Sequence, residues 1–127
     1  SDKSLLFVDQ LSFRPLPHGF EGSSPILVFR RMFTGGDQHL TIHDRVEFRI
    51  ALHFACFSPV VLPLFDDWCV NQPGARWLDA PGIMLQRQGV QSSAAGVANV
   101  WTESIPDLEV RAGHVIKRRY TYRWDVQ

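Results

Sequence analysis

Cysteine is scarce: Cys56 and Cys69 are the two in a chain of 127 residues. Two are too few for a disulfide scaffold, and they point to no compartment. They are expected either to bridge or to be buried as small hydrophobes. Net charge is missing too, since thirteen basic residues balance thirteen acidic ones. That excludes a chain-wide field drawing the protein to nucleic acid or an anionic bilayer, so binding of that kind has to be local. No stretch approaches the roughly 18 apolar residues of a membrane helix, so no membrane insertion is expected. Ser1-Asp2-Lys3-Ser4 does not read as a signal peptide, so none is expected in this stretch. Also absent are an Asn-X-Ser/Thr acceptor, a Gly-X-Ser-X-Gly elbow, a phosphate-binding glycine loop and a Cys-X2-Cys pair. The sequence therefore carries no mark of a nucleophilic or nucleotide-dependent enzyme, and no cofactor is expected.

Bulky apolar side chains are plentiful. Nine Phe, four Trp and two Tyr within a 45% apolar composition suffice for a packed core without metals or staples. The length suits one domain over residues 1–127, burying roughly two-thirds of the surface exposed by the unfolded chain.

The periodicity is that of strands. From Arg45 to Phe57, Val46, Phe48, Ile50, Leu52, Phe54 and Cys56 alternate with Arg45, Glu47 and Arg49, which predicts one long strand. Ile26–Phe29 and Met32-Phe33 form an earlier strand, joined to it by a hairpin turn at Gly35-Gly36-Asp37-Gln38. Arg30-Arg31 breaks the alternation there and predicts a bulge or an edge. Near the end, Ile116, Tyr120, Tyr122, Trp124 and Val126 fall on one side, with Lys117, Arg119, Thr121, Arg123 and Asp125 on the other and Arg118 mismatched. Leu108 and Val110 begin the preceding strand after Pro106, and Ala112-Gly113-His114 makes the turn. Leu5–Val8, Leu11–Phe13, Ile83–Gln88 and Val97–Thr102 are further strand pieces. Pro15–Pro25 and Gln91–Gly96 read as loops, the latter mobile, and Phe65–Val70 as a helical turn in a proline-broken middle. Seven or eight short strands predict an all-β, two-sheet antiparallel sandwich, Ig-like or jelly-roll-like, with a small barrel as the alternative.

Several residues invite a chemical reading, each with a plainer one beside it. His39 and His43 have a metal-ligand spacing for a helix, but on a strand they stand about 13 Å apart and read as hairpin histidines. Asp66, Asp67 and Asp79 read as polar turn residues, since adjacent carboxylates on an extended chain point apart. No metal site is expected. Lys117, Arg119 and Arg123, with Arg111 and Arg118, interleave with aromatics in the manner of a single-strand binding surface. Alternation sends the rings to the opposite face, so nucleic acid is disfavoured. Trp68 and Trp77 are either platforms for a sugar ring or lids over the end of the sandwich.

The outward face of the long strand changes from Arg45, Glu47 and Arg49 to Ala51, His53, Ala55 and Phe57, so it needs a cover, either Pro59–Phe65 folding back or a protein partner. The expectation is a non-enzymatic protein-binding or assembly module, contacting a partner protein or a second copy through Ala51, His53, Ala55 and Phe57. The alternatives are a carbohydrate- or small-ligand-binding module using Trp68 and Trp77, and an enzyme whose residues are dispersed in sequence.

Overall fold

A computed structural model describes residues 11–65, 67–94 and 96–125. The expected Leu5–Val8 strand piece, Asp66 and Val126 lie outside these. All described regular structure is β: β1 (Ser12–Leu16), β2 (Gly19–Ser23), β3 (Leu27–Gly36), β4 (His39–Phe48), β5 (Leu52–Phe65), β6 (Cys69–Val70), β7 (Arg76–Asp79), β8 (Gln86–Ser93), β9 (Gly96–Val110) and β10 (Val115–Trp124). They form a seven-stranded sheet ordered β1-β2-β3-β4-β10-β7-β6 and a three-stranded sheet ordered β5-β9-β8. Every pairing is antiparallel except β6 with β7. The two-sheet all-β expectation holds, and the barrel alternative does not, because the sheets are not closed. Among the described residues no helix is long and apolar enough to cross a membrane.

The first four strands form a meander. Asp37-Gln38 turns β3 into β4 as expected, and Gly113, at φ 89°, turns β9 into β10. That is a left-handed conformation that suits a residue without Cβ. Pro15–Pro25 is no loop but the β1–β2 hairpin, turning at Pro17-His18.

The stretch from Arg45 to Phe57 is two strands in different sheets. Arg49 leaves the ladder, its amide donating to the Ile26 carbonyl at 2.7 Å, while Gly113 N donates to Phe48 O at 2.7 Å. The chain then crosses to the small sheet, leaving Ile50 44% exposed. Alternation hid the crossing because its parity is the same on both sides: Val46 and Phe48 enter the core from the large sheet and Phe54 from the small one. Pro59–Phe65 does not fold back either. It continues β5 after a bulge between Phe57 and Val60, which sets Val60, Leu62 and Leu64 inward.

Other expectations fail for similar reasons. The β3 register runs unbroken beside β2 and β4, so Arg30-Arg31 is neither bulge nor edge. Pro106 lies within β9 opposite Cys56, β8 extends to Ser93, and the region around Phe65–Val70 holds a turn and β6 in place of a helical turn. Cys56 and Cys69 are free and exposed, neither bridged nor buried.

The interior holds two apolar clusters. Leu27, Val46, Phe48, Phe54, Val110 and Ile116 form one, and Ile42, Val60, Leu62, Leu64, Leu78, Ala80, Ile83 and Tyr120 the other. Each draws from both sheets, so burial of these side chains, at roughly 1.5–3 kcal/mol apiece for the larger ones, holds the layers together. A charged layer lies on the same inner side. Arg31, Asp44 and Arg118 are cross-strand neighbours on β3, β4 and β10, and Arg118 reaches Glu103 on β9.

Candidate functional site

Because Ile42, Asp44, Val46 and Phe48 face inward, the intervening residues of β4 face outward, and the register extends this to its neighbours. One outward row runs Arg14–Glu21–Arg30–Arg45–Lys117 across β1, β2, β3, β4 and β10. The next holds Met32, His43 and Arg119, and the one after that Thr34, Thr41, Thr121 and Asp79, the last on β7. Neighbouring strands lie about 4.8 Å apart, so Arg30, Arg45 and Lys117 hold their charges close together on a neutral chain.

The carboxylates on this face are already engaged. Glu21 accepts from Arg14 at 3.0 Å and Arg30 at 2.9 Å, and Glu47 accepts from Arg45 at 2.9 Å. The hydrogen bond from Arg30, then that from Arg14, holds the Glu21 carboxyl below the usual value of 4.5. Lys117 and Arg119 make no ion pair among the described residues. A groove of about 510 Å³ lies over Arg30, Met32, His43, Arg45, Lys117 and Arg119. A second, of about 370 Å³ and more polar, shares His43 and Arg119 and continues over Thr34, Thr41, Thr121 and Asp79.

Trp77 lies one row beyond the threonine–aspartate row, opposite Arg123, which lines this second groove. Leu78 is fully buried, so Trp77 and Asp79 lie on the outward side of β7. The Arg123 guanidinium sits 5.6 Å from the Trp77 ring centre and 3.5 Å from the Asp79 carboxylate. Trp68, by contrast, meets Tyr122 edge-on at 5.6 Å and packs on a core cluster, as a lid does. The structure thus separates the two tryptophans that the sequence offered together.

On the small sheet, Ala51, His53 and Ala55 are exposed, whereas Phe57 turns to the interior, its ring 5.6 Å from Phe48 and 5.1 Å from Phe54. The exposed apolar residues of β5 stand farther along, with Val61 at 53% and Phe65 at 45% on either side of Pro63. His53 hydrogen-bonds Asp107 at the surface. The hydroxyl pair Ser58 and Ser104 lies five residues along the strand, about 15 Å away, too far for that imidazole to activate either serine.

His39 and His43 both lie on the outward face, beside Arg123 and Arg119 respectively. Asp67 pairs with Arg76 and Asp79 with Arg123. Among the described residues, no three metal-ligating side chains cluster. Arg118 belongs to the interior. Lys117 and Arg119 remain outward, whereas Tyr120 is buried on the opposite side of β10 and Tyr122 packs edge-on against Trp68, away from these cations.

The sequence did not reveal Arg30 and Arg45 as partners of Lys117, because the β4–β10 pairing joins residues about seventy positions apart. Their outward parity was the available signal. No family model matches this chain, nor does any curated protein or solved structure.

Proposed function

We propose that this chain is a non-catalytic binding module whose large-sheet outer face takes an anionic ligand. The row Arg30–Arg45–Lys117 carries this reading, together with Arg119 in the next row. Lys117 and Arg119 make no ion pair among the described residues, while Glu21 is held by Arg14 and Arg30 and Glu47 by Arg45, so the two β10 cations supply the unpaired charge. Such a face attracts anions although the whole chain is neutral. Calorimetric titration with inorganic tripolyphosphate at low salt tests it. Binding is expected to weaken as salt rises, and Lys117→Glu with Arg119→Glu to lower affinity roughly tenfold. Both side chains are exposed, so the fold should tolerate the change. No binding at low salt, or an unaffected double variant, overturns the proposal.

A second reading, association with another copy of the chain, is favoured by the exposure of Val61 and Phe65 on β5. β5 is an edge strand of its sheet, but Pro59 and Pro63 within it deny donors to an added strand, so contact would be through the face. Light scattering at increasing concentration tests this. A dimer lost on Val61→Asp and Phe65→Asp supports it, and a monomer at all concentrations removes it.

A further inference from the structure

We infer that the anionic ligand is an acidic carbohydrate, with its charged groups on the arginine–lysine rows and its ring hydroxyls on the adjoining threonine–aspartate row. This rests on the anion-binding reading above and narrows it. The two grooves share His43 and Arg119 in their walls but differ in chemistry. Over the first, cations dominate. Over the second, the register sets Thr34, Thr41, Thr121 and Asp79 in one line, with Thr41 and Thr121 hydrogen-bonded to each other at 2.9 Å as its floor.

A carboxylate in an anion site is a liability unless the ligand has hydroxyl protons to give it. Asp79, although paired with Arg123 at 3.5 Å, keeps lone pairs that can accept from a sugar hydroxyl while its charge opposes a plain polyanion, and hydrogen bonds to a charged partner are among the stronger ones. The exposed Thr34 hydroxyl, at the other end of the same row, can donate and accept there. Trp77, half-buried one row beyond the threonine–aspartate row with Arg123 against its ring, adds an indole of the kind that lies against a sugar ring. A single-stranded nucleic acid is less well served, because Tyr120 faces the interior and the cationic groove has no aromatic lining for bases.

The test uses three probes of matched length: oligogalacturonate, with carboxylates and ring hydroxyls; its methyl ester, with hydroxyls alone; and oligoglutamate, with carboxylates alone. Oligogalacturonate is expected to bind at least about tenfold more tightly than either of the others. Asp79→Asn should weaken oligogalacturonate severalfold and strengthen oligoglutamate, because one ligand loses an acceptor and the other loses a repulsion. Thr34→Val, at an exposed position that the fold does not depend on, should weaken only oligogalacturonate. If oligoglutamate binds equally well and Asp79→Asn strengthens both, or if single-stranded DNA binds more tightly than oligogalacturonate, the carbohydrate inference falls while the anion site stands. If none of these anions binds, nor tripolyphosphate, both fall together.

Discussion

Arg118 on the large sheet donates across the interior to Glu103 on the small sheet, Nε to Oε1 at 2.7 Å and Nη2 to Oε2 at 2.9 Å. The Glu103 side chain is 11% exposed and that of Arg118 24%. Removing one partner of such a pair strands the other away from water, which costs more than the intact pair contributes. Arg118→Ala is expected to lower unfolding free energy by about 2–4 kcal/mol, below the deep-core range because Arg118 keeps some solvent. The apolar double replacement, Glu103→Leu with Arg118→Met, should return to within about 1 kcal/mol of the parent. Urea unfolding of the parent and these two variants checks this, and equal losses in the single and double variants would contradict it.

The second internal pair bears on the tyrosines. Asp44, 5% exposed, accepts from Arg31 Nε at 2.8 Å and Nη2 at 2.9 Å, and from the Tyr120 hydroxyl at 3.3 Å. The bond to Asp44 raises the Arg31 pKa further, keeping the guanidinium charged. Burial raises the Tyr120 phenol above its usual 10, and the Asp44 charge adds to the effect. Burial likewise raises Tyr122. These are the chain's two tyrosines, so ultraviolet titration of the folded protein should show no phenolate step near pH 10. The native state then holds protons that the unfolded state releases above pH 10. The stabilisation is complete below that pH and lost as pH rises toward the elevated native values. A normal titration near pH 10 without unfolding would contradict this.

The sheets were legible in the sequence because period-two alternation reports directly which side chains share a face. The switch between sheets was not. Phe48 and Phe54 keep one parity on either side of Arg49–Ala51, and a change of sheet leaves no trace in parity. The irregularities were more informative than they looked. Arg118 and the Arg30-Arg31 doublet break the pattern because Arg118 and Arg31 turn inward to Glu103 and Asp44. Of the candidate site, the β10 cations, His43, Asp79 and Trp77 were visible one by one, but not as one face, since Arg30 and Arg45 join the β10 cations through long-range register.

Two glycines should fail for different reasons. A Cβ at Gly19 would stand 2.1 Å from the Arg31 carbonyl oxygen, and backbone in a paired strand cannot step aside. Gly113 has open space around it but a φ of +89°. Gly19→Ala is expected to cost about 2–3 kcal/mol and part β2 from β3 locally, whereas Gly113→Ala should cost about 1–2 kcal/mol with the sheet intact. Thermal unfolding, with amide exchange across β2 and β3, separates the two outcomes.

Glu21 links the edge of the large sheet to the cationic row. Its carboxylate takes Arg14 from β1 and Arg30 from β3, and these bonds depress its pKa below 4.5. A depressed acid stabilises the fold fully above its unfolded pKa, and that contribution disappears as pH falls through the native value. The β1–β2–β3 edge should therefore loosen in acid, while the same protonation releases two guanidinium groups on the anion-binding face. Glu21→Gln is expected to reproduce both effects at neutral pH, with faster amide exchange in β1 and β2 and tighter binding of tripolyphosphate. Stability and affinity would then move in opposite directions from one substitution. A variant that loses both together would show that Glu21 orders the face instead of restraining its charge.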